Sequence, residues 1–171
     1  YKGMSAFIVE AGWEGVNLGK KEMNMGQRAS DTRAVNFENV RVPAENLVGG
    51  VEGKGWFNAM TAFDLARPNI AAHATGISRA AFEHALQYAD ERETFGKKLH
   101  QHQSLQFMLA DMKTKIEASR ALTWKTAWES DQGIRNTESA AHAKRFAADT
   151  AMEVTTDAVQ VFGGYGYSEE Y

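Results

Sequence analysis

Apolar and polar residues follow two rhythms along this chain, and the change comes near residue 55. Before it, apolar residues run together, as in Ala6-Phe7-Ile8-Val9, or alternate with polar ones, as Val35 and Phe37 do. Two is the strand period, so strands are predicted over residues 4–10, near 16–18 and over 34–40. Gly12 and Gly15 flank Trp13-Glu14 as a turn, and Val42-Pro43 closes the third strand because proline cannot donate to a ladder. After Gly55 the spacing becomes helical. Met60, Phe63, Ile70, Ala74, Ile77, Ala81 and Ala85 predict one face of a long helix that ends near Arg92, with Pro68 as the place for a kink. Leu105, Leu109, Met112, Ile116 and Ala127 mark a second helix, from about His102 to the stop at Asp131-Gln132-Gly133. A third starts after Asn136 or Thr137, either of which can cap it, and has Ala147, Ala151, Val154, Ala158 and Val161 as its seam. Gly163-Gly164 ends it.

Glycine placement agrees with this division, because glycine weakens helix interiors and collects in turns. Nine of the fifteen glycines fall in the first 55 residues, and only Gly76 and Gly96 lie between Trp56 and Gln132. Long helices joined by short loops favour antiparallel neighbours, and three are one short of a common bundle. The predicted fold class is α+β: a partial antiparallel β-domain over residues 1–50, followed over 51–171 by the long antiparallel helices of an incomplete four-helix bundle. The chain opens on Tyr1 and stops just past a glycine cluster, so it is expected to be a piece of a longer protein.

Composition narrows the function classes. With 43% hydrophobic residues there is material for a sizeable core, and a net charge of -3 offers no basic stripe for nucleic acid. The absence of cysteine removes disulfides, thiolate nucleophiles and cysteine metal clusters. No apolar run approaches the roughly 20 residues that span a bilayer.

Three strings carry candidate chemistry. Arg67 projects from an otherwise apolar face, with Asp64 at i−3 as its local partner, so the pair is either a structural ion pair or part of a site. In the loop Arg92-Glu93-Thr94-Phe95-Gly96-Lys97-Lys98, a guanidinium fork and a hydroxyl can grip a phosphate, or the charges are simply solvated around a glycine turn. His102-Gln103 then opens a helix, where backbone donors favour anions. Gln160-Val161-Phe162-Gly163-Gly164-Tyr165-Gly166 either lets a ligand approach the backbone or caps the third helix. His100-Gln101-His102 lacks a third ligand at metal spacing, and no serine stands beside a base. Trp124 and Trp128, one turn apart, are read as packing.

Taken in order, these strings resemble the acyl-CoA dehydrogenase family, and its medium-chain branch in particular. Asn24-Met25-Gly26-Gln27-Arg28 with Ser30-Asp31-Thr32-Arg33 is similar to a loop of the family's middle β-domain, and Phe37-Glu38-Asn39-Val40-Arg41-Val42-Pro43 to the stretch entering its C-terminal helical domain. Phe63-Asp64-Leu65-Ala66-Arg67-Pro68, Glu91 to Lys97, His102-Gln103 and Asp157 to Gly164 follow in the family's order and spacing.

The resemblance implies an enzyme that removes hydrogens from the α and β carbons of an acyl-CoA, with FAD as cofactor and an electron-transferring flavoprotein as acceptor, in fatty acid β-oxidation. Phe63, Asp64, Leu65, Ala66 and Arg67 would line the acyl-CoA channel, with Arg67 supporting the catalytic carboxylate. Arg92, Thr94, Phe95, His102, Gln103, Gln160, Gly163 and Gly164 would bind FAD across the interface of a homodimer, usually doubled into a homotetramer. The family's base is expected beyond Tyr171, and the position another branch uses for its glutamate holds Ala66, so this chain alone is expected to be inactive. The bacterial cytoplasm and the mitochondrial matrix both house such enzymes. The competing readings are an oxidase relative that passes electrons to dioxygen and a non-catalytic helical oligomerisation module.

Overall fold

The computed structural model describes residues 2–171. Residues up to Thr61 form one compact unit and Ala62–Tyr171 a second.

In the first unit, strands β1 (Val16–Leu18) and β2 (Val35–Phe37) pair antiparallel, with Val16 opposite Phe37 and Leu18 opposite Val35. The pairing closes at Gly15, whose left-handed φ of 85° suits glycine and whose missing Cβ would lie 2.2 Å from the Glu38 carbonyl oxygen. The strand expected over residues 4–10 does not form. That segment makes a single bridge, Phe7 with Leu47, pinned by Ile8 N–H to Asn46 O at 3.0 Å and Val48 N–H to Ala6 O at 2.9 Å. Its partner turns into a 3-10 helix, Ala44–Asn46, straight after Pro43, so there is no extended neighbour along which a ladder can continue.

The helical expectation holds closely. Helix α1 spans Gly55–Glu91 and runs unbroken through Pro68; the hairpin strands β3 (Glu93–Thr94) and β4 (Lys97–Lys98) follow, then α2 (Gln103–Asp131) and α3 (Thr137–Phe162), which ends in a 3-10 turn, Gly163–Tyr167. Consecutive helices are antiparallel, and α1 and α3 run parallel: Ala85 and Ala89 near the end of α1 share a cluster with Leu109, Met112 and Ile116 early in α2 and with Val154, Ala158 and Val161 late in α3. A second cluster joins Ala71 and Ala74 to Ala143 and Ala147. Lys115 and Glu153 form an ion pair between α2 and α3. Lys115 Nζ donates to the Glu153 carboxylate, which raises the lysine's pKa above its ordinary value, so the lysine's contribution to stability is in place at neutral pH and falls away as the pH rises through that raised value.

The buried faces differ from those expected in three places. On α1, Phe63, Ile70 and Ile77 are exposed, and the inward stripe is Ala71, Ala74, Thr75, Ser78, Ala85 and Ala89. On α2, Ala127 faces outward and the stripe continues through Ser119, Thr123 and Thr126. The same geometry turns Trp124 and Trp128 out to solvent, at 69% and 57% exposure, so they do not pack in the core. Neither candidate cap acts through its side chain: Asn136 donates instead to the Thr126 carbonyl at 3.2 Å, and Thr137 to Asp64 at 2.5 Å. No helix among the described residues is long and apolar enough to cross a membrane.

Candidate functional site

The ends of α1 and α3 arrive at the same place, and the hairpin between α1 and α2 folds over them. Tyr88 and Arg92 from the end of α1, Thr94 and Leu99 from the hairpin region, and Val161 to Tyr165 from the end of α3 line one open cavity of about 450 Å³. The structure thus brings together Arg92, Thr94, Gly163 and Gly164, which the sequence places in two strings about 70 residues apart.

Each polar group at this cavity is held with bonding capacity to spare. His102 Nε2 lies 3.2 Å from both the backbone oxygen and the hydroxyl of Thr94. A carbonyl oxygen can only accept, so Nε2 carries the proton. The Thr94 hydroxyl then accepts from the same N–H, and its own hydrogen stays free to donate outward. His102 sits at the N-cap position of α2 and spends its side chain on Thr94 rather than on capping.

Arg92 has no carboxylate partner among the described residues, although Glu91 and Glu93 flank it in the chain. Gln87 donates to Glu91 at 2.9 Å, and Lys98 pairs with Glu93 at 3.3 Å. The guanidinium lies instead over the ring of Tyr165, 5.5 Å from its centroid.

The glycine pair splits into two roles. Gly163 adopts φ 60°, ψ −132°, a region open essentially to glycine alone, and ends α3. Gly164 has no left-handed φ, and a Cβ there would meet nothing of this chain. Its smallness has no internal reason, which is what a backbone surface approached by another molecule looks like. Gln160 lines a second groove on the other side of the pair, with Thr155, Thr156 and Val159.

Phe95 carries the strongest local signal. Phe95 and Gly96, both at left-handed φ (52° and 77°), form the two-residue turn between β3 and β4. Such a turn favours asparagine or aspartate first and glycine second. A phenylalanine there is strained by about 1–2 kcal/mol, and it is 98% exposed, with its ring edge-on to His102 at 6.4 Å between centroids. Phe95, His102 and Gln103 lie outside the cavity lining.

Phe63 to Arg67 occupy the other end of α1. Both Asp64 carboxylate oxygens are engaged, one by Arg67 at 3.3 Å and one by Thr137 at 2.5 Å, and Arg67 lies over the Phe63 ring at 5.7 Å. Leu65 and Ala66 are exposed. At about 1.5 Å of rise per residue, Arg67 and Arg92 are roughly 37 Å apart along the helix. Among the described residues no group of three or more His, Cys, Asp or Glu could hold a metal ion.

Sequence reasoning gave Tyr88 no role, quoted Phe162 and Tyr165 only as members of the glycine string, and took Thr137 for a cap. Tyr88 stacks on Phe162 with centroids 4.4 Å apart, a contact between elements more than 70 residues apart that no local string announces.

Comparison with known proteins places these features in a family. Residues 53–171 match the model of the acyl-CoA dehydrogenase C-terminal domain. The chain is 49% identical over 169 residues to the cyclohexane-1-carbonyl-CoA dehydrogenase of Geobacter metallireducens and 52% identical over 169 residues to the short-chain-specific acyl-CoA dehydrogenase of Megasphaera elsdenii, in each case across 99% of this chain and 44% of the relative. The solved structure of butyryl-CoA dehydrogenase from Megasphaera elsdenii superposes with a TM-score of 0.96 at 51% identity, over 99% of this chain and 44% of that one. The chain therefore spans less than half the length of these relatives. Their names are short-chain and cyclohexane-carbonyl ones, so the medium-chain likeness of the strings is not confirmed.

Proposed function

Because the chain belongs to the acyl-CoA dehydrogenase family, we propose that the protein carrying it is a FAD-dependent enzyme that desaturates an acyl-CoA between its α and β carbons and passes the electrons to an electron-transferring flavoprotein. The observation that carries this reading is the convergence of Arg92, Thr94 and the Gly163-Gly164 backbone on one cavity. These donors fit a pyrophosphate: an uncompensated guanidinium, a hydroxyl with its hydrogen free, and a glycine with no packing reason to be small. FAD, when bound, supplies the acceptor for the β hydrogen. Arg92 and Thr94 would hold its pyrophosphate, with His102 fixing Thr94 and the exposed Phe95 ring as a further contact from the strained turn. Gln160, which lines the groove on the other side of the glycine pair, and Gln103 at the start of α2 would be further contacts to it.

Toward the other end of α1, the exposed Phe63, Leu65 and Ala66 are the apolar side chains available to an acyl-CoA. Asp64 and Thr137 hold Arg67 beside them, where its charge supports a catalytic carboxylate supplied from beyond Tyr171. The roughly 37 Å between the two sets argues that within one copy they serve different ligand molecules. A homodimer, in which each copy lends its Arg92 end to the partner's cofactor, resolves that separation.

The test is the visible absorbance of the purified full-length protein, followed by denaturation to release bound cofactor. A flavin spectrum with FAD released is expected; a colourless protein that takes up no added FAD would overturn the reading. The turn supplies a second prediction. Phe95→Asn is expected to raise stability by about 1 kcal/mol, because asparagine tolerates the left-handed region, and to weaken FAD binding. Thermal unfolding and FAD titration on the same variant check both halves, and a variant that gains stability without losing affinity would remove Phe95 from the site.

A further inference from the structure

From the contacts around Arg92 we infer that Tyr165 is a positioning residue for the anion site, holding the Arg92 guanidinium by its ring face so that the cation reaches the ligand uncompensated. The inference rests on the cofactor reading above and goes beyond it, because Tyr165 acts through Arg92 rather than on the ligand. Three observations carry it. Arg92 lies over the Tyr165 ring at 5.5 Å and makes no ion pair among the described residues. Its two neighbouring carboxylates are both held elsewhere, Glu91 by Gln87 and Glu93 by Lys98. Tyr165 is itself braced, with Tyr171 packed on it at 4.8 Å and Tyr171 in turn against Tyr88 and Phe162 at 6.1 Å each.

The physical distinction is between two ways of fixing an arginine. A carboxylate partner would order the side chain but would neutralise it and occupy its N–H fork. An aromatic face attracts the cation through the ring quadrupole and takes none of its in-plane donors. Arg92 therefore gives up part of its rotamer freedom before the ligand arrives and keeps its full charge and five N–H groups for phosphate oxygens. Pre-organisation of this kind raises affinity without a new contact to the ligand. The position of Tyr165 follows from the chain: the 3-10 turn that begins at Gly163 swings it back under Arg92. Gly166 permits that turn, since a Cβ there would lie 2.5 Å from the Val159 carbonyl oxygen.

The experiment is a double-mutant cycle on the full-length protein, read as FAD affinity by flavin fluorescence on titrating the apoprotein. Tyr165→Leu is expected to weaken binding about three- to tenfold, and Tyr165→Phe, which keeps the ring, to stay within about twofold of wild type. In an Arg92→Gln background, Tyr165→Leu is expected to cost less than about twofold, because the group it positions is gone. The same loss in both backgrounds would overturn the proposal, as it would mean that Tyr165 touches the ligand or merely shapes the turn. Unchanged affinity in Tyr165→Leu would overturn it as well. A ligand-free readout separates this outcome from failure of the cofactor reading. The Arg92 side-chain N–H resonance is expected to be shifted by the ring current of Tyr165 and to move toward its unstructured position in Tyr165→Leu. If wild type binds no FAD, the cofactor reading falls, while an Arg92 resonance that is not shifted overturns the ring contact on its own.

Discussion

Replacing Arg92 with glutamine is expected to weaken FAD binding about 10- to 100-fold, with the folded state intact. A hydrogen bond to a charged group is worth about 1.5–3 kcal/mol, and about 1.4 kcal/mol is tenfold in affinity. Three features put Arg92 in the upper part of the range of effects at this site. Among the described residues its charge is shared with no carboxylate and its guanidinium donors take no partner, and it lines the cavity together with Gly163 and Gly164. The fold has little stake in it, because the side chain is exposed and rests on the Tyr165 ring. Apoprotein prepared from wild type and Arg92→Gln and titrated with FAD under the same salt conditions gives the comparison. Arg92→Lys is expected to fall between the two, keeping the charge and losing the planar fork. If the glutamine variant binds FAD as wild type does, the cavity does not hold the pyrophosphate, and the groove on the Gln160 side becomes the place to look.

The helices were legible in the sequence because periodicity sustained over some 30 residues is hard to imitate, and the stops at Gly133 and Gly163 adopt positive φ as expected of helix ends. The inward faces were less legible. Phe63, Ile70 and Ile77 outrank alanine in apolar surface, yet α1 turns Ala71, Ala74, Ala85 and Ala89 inward, where small side chains let helices approach closely. Polar residues joined the buried stripe because their hydroxyls are satisfied within their own helix: Thr75 donates to the Ala71 carbonyl, Ser78 to Ala74 and Thr123 to Ser119, each at 2.8 Å. A hydropathy pattern scores such positions as outward. At the site, Arg92, Thr94 and the glycine pair could be read as strings. What could not be read is that Tyr88, Phe162 and Tyr165 complete the cavity, since they become neighbours only because α1 and α3 end side by side.

Truncating Ile116 to alanine is expected to produce the opposite profile, a loss of about 3 kcal/mol of stability with FAD affinity kept within about twofold. Ile116 has no exposed surface and sits where all three helices meet, in the cluster that holds Ala85, Met112 and Val154. Alanine would remove three carbons from a close-packed interior, and its neighbours are already helical side chains with little room to collapse inward. The cavity should feel this weakly. Ile116 lies roughly 20 Å along α2 from Gln103, and the groups proposed to hold the ligand are fixed locally, Thr94 by His102 and Arg92 by the Tyr165 ring. Denaturant unfolding followed by helical signal measures the first quantity, and FAD titration of the folded variant measures the second. A parallel loss of affinity would mean that the relative placement of α1 and α3, set by the whole bundle, decides the cavity. Retained affinity would assign the site to the hairpin and the glycine turn, so that Arg92→Gln and Ile116→Ala separate binding from folding within one domain.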